Sequence, residues 1–170
     1  GGREEGMIRA SLRGLKGSAK EQANVKRVLL LFALVPEDTH CPLEVLLLIF
    51  GAVHGGSDVS IMHLRKWLRV LIGRSLVLGT VDRPSLHDLV LDFTIGMHSK
   101  DELVVAHRRV VEAFRSNRPS NAAGIAEWDS GNRDDAVTAY VLDEGAHHVQ
   151  SSRDASDAGS DEVLLEWLND

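Results

Sequence analysis

Cysteine occurs once in the 170 residues, at Cys41, so no intramolecular disulfide and no cysteine-based zinc site can form. That scarcity fits a reducing compartment, and the cytoplasm is the expected location. Long apolar runs are equally scarce. The longest, Val28 to Val35, falls far short of the ~20 residues a membrane-crossing helix needs. No apolar segment follows Arg3, Glu4 and Glu5, so the N-terminus does not read as a signal peptide. Positive charge is nearly missing from the other end. From Glu127 to Asp170 only Arg133 and Arg153 stand against twelve carboxylates, a balance that repels nucleic acid and anionic membrane. No local Ser/His/Asp or Cys/His motif supports nucleophilic catalysis.

What is present is an ordinary globular composition, 44% apolar and 26% charged, enough for one domain or one domain with an appended helical segment. Net charge is −6, yet residues 3–27 carry seven bases against Glu4, Glu5 and Glu21. Solvated helix faces account for that asymmetry without a partner.

Helical spacing dominates the chain. Met7 to Leu15 forms a short stripe ending near Gly17, and Glu21 to Val35 a stronger helix closed by Pro36. Pro42 suits the first turn of a helix from Leu43 to Val53 that is apolar on most faces. After Gly55-Gly56-Ser57, Ser57 or Asp58 is expected to cap a helix through Ile72, with Ile61, Leu64, Leu68, Leu71 and Ile72 on one face. Strand-like signal appears only at residues 75–80 and 85–87, two short runs around an Asp- and Pro-containing turn that read as a hairpin. A helix over Leu89 to Met97 follows, then a stripe of Leu103, His107, Val110 and Phe114, a break at residues 118–120, and a helix over Asp134 to Val149. Ala122 to Trp128 reads as a short helix, residues 151–160 as a mobile loop, and Glu162 to Leu168 as an amphipathic helix lacking a packing partner. The expected fold is mainly α: a winged-helix domain of helices plus a small β-hairpin wing, followed by a helical segment.

Two stretches carry a family resemblance. Leu31-Phe32-Ala33-Leu34-Val35-Pro36-Glu37-Asp38, followed by Cys41-Pro42-Leu43-Glu44-Val45-Leu46, resembles the segment that opens the winged-helix (second ARC) subdomain of the NB-ARC, or STAND, signalling ATPases. This family includes apoptotic protease-activating factor and plant resistance proteins. Some fifty residues later Leu86-His87-Asp88, continuing as Leu89-Val90-Leu91-Asp92-Phe93, is similar to the family's Met-His-Asp motif with Leu in place of Met, and Ser75-Leu76-Val77 is similar to its Ser-Leu stretch before the wing. More weakly, Tyr140 with Ala146-His147-His148-Val149 resembles a segment of the helices that follow the winged helix.

The resemblance implies a division into the end of a preceding helical subdomain (1–19), a winged-helix subdomain (20–98) and a truncated helical extension (99–170). It also implies a regulatory part in a switch controlled by ADP and ATP, of the kind that signals in apoptosis or defence. His87 would contact the phosphate of bound ADP and hold the closed state, supported by Leu86 and by Asp88 as helix cap. No G-x-x-x-x-G-K-[ST] occurs in the chain, so no catalytic residue is assigned. ADP or ATP would belong to the full-length parent, whose nucleotide-binding and sensor domains are the expected partners. The alternative is a DNA-binding winged helix that inserts the Asp58 to Ile72 helix through Arg65, Lys66 and Arg69. Three bases make a thin footprint, and the acidic end opposes it. His147 and His148 pair at helical spacing with Asp143 and Glu144 as metal ligands can, but two ligands make a poor site, and no metal is expected.

Overall fold

The computed structural model describes residues 2–55, 58–119, 123 and 133–153. Within them the chain is mainly helical with one small antiparallel two-stranded sheet. The expectations for Ala122 to Trp128 and for Glu162 to Leu168, and nearly all of the expected 151–160 loop, lie outside the described residues.

Helix α1 (Gly2–Arg13) buries only Ile8. Its last turn is held from outside: the Arg74 guanidinium donates to the carbonyls of Ser11 and Gly14, which lack partners within the helix. Helix α2 (Ala19–Leu31) begins at Ser18, whose hydroxyl accepts from the Glu21 amide while the Glu21 carboxylate accepts from the Ser18 amide. Instead of running on to Val35, it tightens at Phe32–Leu34 into a 3-10 turn. Val35 is then extended, at φ −87° and ψ 133°, the conformation the ring of Pro36 imposes on the residue before it.

Helix α3 (Leu43–His54) is the centre of the molecule, burying Leu43, Val45, Leu46, Ile49 and Phe50. Pro42 occupies its N-cap, so its missing N–H costs nothing. Gly55 closes the helix at φ 66°. Helix α4 (Ile61–Gly73) starts later than expected. Ser60, not Ser57 or Asp58, is the cap, paired reciprocally with His63. Its buried stripe is Leu64, Trp67, Leu68 and Leu71, while Ile61 and Ile72 are half-buried at its ends.

The hairpin is much shorter than the sequence suggests. Strands β1 (Leu78–Gly79) and β2 (Pro84–Ser85) pair Leu78 with Ser85 and Gly79 with Pro84. Gly79 sits at φ 78°, and a Cβ there would lie 2.5 Å from the Arg83 carbonyl oxygen, so the turn requires glycine. The hairpin bonds outward as well as inward. The Cys41 amide donates to Pro84 and the Leu43 amide to Asp82, at 3.0 and 3.2 Å. Carbonyls of the hairpin thus satisfy amides at the start of α3 that have no partner within that helix.

Helix α5 (Asp88–Gly96) buries Val90, Phe93 and Thr94 against α2 and the 3-10 turn, and Leu89 is 50% exposed. The Arg9 guanidinium lies over the Phe93 ring and ties α1 to this helix. Helix α6 (Lys100–Ser116) opens on a Ser99–Glu102 capping pair. Helix α7 (Ala136–Ser151) opens on Asp135, whose carboxylate accepts from both the amide and the hydroxyl of Thr138. The two run antiparallel, since His107 meets His148 while Phe114 meets Tyr140. Both pack on α3, and one apolar cluster runs through the described helices from Ile8 to Val141. None of these helices is long and apolar enough to cross a membrane.

Candidate functional site

The two stretches that carry the family resemblance meet in space. Leu86 and Leu91, from the second, share a crevice of ≈ 10 Å³ with Phe32, Val35, Pro36, Glu37, Asp38 and Thr39, from and beside the first. The crevice admits no ligand; it is a packing contact between the Pro36–Asp38 turn and the base of α5. Asp38 adopts φ 58°, a left-handed conformation tolerated by aspartate, and the Thr39 amide donates back to the Pro36 carbonyl at 3.3 Å. The turn is therefore fixed locally, and α5 leans on it.

His87 projects from this junction and is exposed. It is the N-cap of α5, with φ −76° and ψ 144°, and its Nδ1 accepts from the Leu89 amide at 3.3 Å. Asp88, the expected cap, is instead the first helical residue, where its charge complements the positive end of the helix. The cap contact has a chemical consequence. An imidazole accepting at Nδ1 carries its proton on Nε2, so His87 offers an N–H donor while capping the helix. Protonating Nδ1 would give up the cap. Leu86 is half-buried and anchors the motif from below.

Cavities of ≈ 430, ≈ 620 and ≈ 400 Å³ open elsewhere, between α2, α3 and α6, between the hairpin region and α7, and between α2 and α4, and none is lined by Leu86, His87 or Asp88.

The bases of α4 are largely engaged. Arg65 pairs with Asp82 of the hairpin and Lys66 with Glu21 of α2, leaving Arg69 exposed. At α7, Asp143 pairs with Arg133 at 2.9 Å, and Glu144 accepts from the Thr39 hydroxyl at 3.5 Å. Among the described residues no group of three or more His, Cys, Asp or Glu side chains is placed to hold a metal.

His148 is not directed toward a carboxylate. It is fully buried between α6 and α7, its Nε2 3.0 Å from the Tyr140 hydroxyl and its Nδ1 3.0 Å from Nδ1 of His107. His147 stands edge-on to both rings. Burial, with the neighbouring His147, pushes His107 down to about 4; burial, then His107 and His147, holds His148 well below its ordinary range. The sequence places His107 on a helical stripe with Leu103, Val110 and Phe114 and names no partner for it. Tyr140 and His148, eight residues apart on one helix face, were the available signal; the partner on α6 was not. The chain matches no protein-family model, no curated protein and no solved structure.

Proposed function

We propose that this chain is a regulatory winged-helix module of a nucleotide-controlled signalling switch resembling the NB-ARC family. In the full-length parent His87 donates a hydrogen bond to a phosphate of ADP held by a neighbouring nucleotide-binding subdomain. The chain performs no catalysis of its own. The observation that carries the reading is the His87 cap: an exposed imidazole whose Nδ1 contact directs its remaining N–H outward from the junction of the two motif stretches. The order of helices, hairpin and α5 supports the winged-helix reading, in which the hairpin's bonds to the segment entering α3 would seat the wing.

A hydrogen bond to a charged group contributes about 1.5–3 kcal/mol, so its loss should speed ADP release about tenfold or more. The substitution must separate ligand contact from capping. His87→Asn preserves an N-cap acceptor with a shorter reach, so in the parent it should accelerate ADP release while the melting temperature holds. Unchanged release with an altered melting temperature would reduce His87 to a cap.

The DNA-binding alternative loses its footprint to intramolecular contacts. Arg65 and Lys66 are paired with Asp82 and Glu21, so groove binding would require breaking both pairs. No observation favours it.

A further inference from the structure

We propose that Tyr140, His148 and His107 form a proton-operated clasp that holds α7 on α6 while the two imidazoles are neutral and loosens that packing when they take up protons.

The geometry sets the proton count. With two Nδ1 atoms 3.0 Å apart, one must carry a hydrogen and the other must accept it. His148 then exchanges its second hydrogen bond, through Nε2, with the Tyr140 hydroxyl. One added proton fits the chain in either of two ways: His148 becomes a donor at both nitrogens, or His107 does. In both forms a cation sits between helices in a site that is 0% exposed at His148 and 4% at His107. A second added proton sets N–H against N–H across the same 3.0 Å, and the contact must open.

The surroundings do not offset that charge. On α7 the titratable neighbours are His147, which is of the same sign when charged, and Glu144, whose carboxylate acts on His147 and Tyr140 rather than on the pair. His147 is further held by the Leu34 carbonyl of the 3-10 turn. From the loop before α3 comes the buried Cys41 thiol, neutral because burial raises it. The titratable residues of α3, Glu44 and His54, lie in its first and last turns. Phe114 of α6 closes the remaining side with its ring edge-on to His148.

Both imidazoles bind protons less readily folded than unfolded, since burial lowers them from the ordinary 6.5. The clasp's contribution is therefore complete above about pH 6.5 and is lost progressively as pH falls from there toward 4. Where α7 detaches, Tyr140, Val141, His148 and Val149 come out of the core together.

Hydrogen exchange on the intact chain tests this, with α2 as the internal reference. Between pH 7 and pH 5, after correction for intrinsic rates, residues 136–151 should lose about thirtyfold in protection for each of the two histidines, on the order of a thousandfold together, relative to residues 19–31. His107→Leu should remove the His107 share and leave about thirtyfold from His148, which stays buried. Parallel loss in both helices, or none, overturns the clasp. If the variant fails to fold, ¹⁵N imidazole shifts of the unsubstituted protein decide. His107 and His148 must stay neutral through pH 5.5, and ordinary titration near 6.5 overturns the proposal.

Discussion

Two histidine sites in this molecule obey opposite rules. His87 stands exposed at the mouth of a short helix, accepts one hydrogen bond from the Leu89 amide and keeps its second nitrogen available. His107 and His148 lie between two long helices, spend their facing nitrogens on one another and on Tyr140, and cannot charge without disturbing the packing. The same side chain is a free donor in one place and part of the core in the other. The difference lies in burial and in whether its partners are local or distant in sequence. An exposed imidazole can be removed at little structural cost, whereas a buried one takes its partners' hydrogen bonds with it.

That contrast breaks most readily at His148. His148→Ala empties a fully buried ring site and strands both the Tyr140 hydroxyl and a nitrogen of His107. The expected cost is about 3–5 kcal/mol, measured as a shift in urea midpoint at pH 7. A loss below about 1 kcal/mol would mean that the pair is not a packed element. Tyr140→Phe keeps the ring and removes only the hydroxyl, so it should cost about 1–2 kcal/mol in the same assay. The third site is the exposed one. His87→Ala gives up a cap, and about 0.5–1 kcal/mol, or a few degrees of melting temperature, is the expected loss. Asparagine at 87 should be nearly neutral. If His87→Ala destabilised the chain as much as His148→Ala, the division between the sites would fail. The smallest effect expected is a null: the chain alone should show no detectable heat with ADP or ATP in calorimetry, because His87 supplies a donor without a cradle. Sub-micromolar binding would move the nucleotide site onto this chain.

Much of this was legible in the sequence where the physics is local. Pro36 and Pro42 bracket a loop, and the spacing of Leu64, Leu68 and Leu71 marks a buried face. The misjudged boundaries have equally physical reasons. Ser60 caps α4 with His63 reciprocating its bond, a pairing outside the usual Glu or Gln pattern, and Ser57 lies outside the described residues. The strands shrink to two residues each, and the Asp82 and Pro84 carbonyls accept from the Leu43 and Cys41 amides of the segment entering α3. His87 was visible through its motif, but its capping role was assigned to Asp88, since imidazole is not among the favoured cap acceptors. The His107–His148 contact was out of reach: the residues are 41 positions apart, and only the antiparallel docking of α6 and α7 joins them.

The proposed switch stands or falls on nucleotide release. In the protein that joins this chain to its nucleotide-binding part, the dissociation rate of a fluorescent ADP analogue should rise about tenfold or more on His87→Asn, with melting temperature unchanged. An unchanged dissociation rate would contradict the account and leave His87 as the cap of α5 and nothing more.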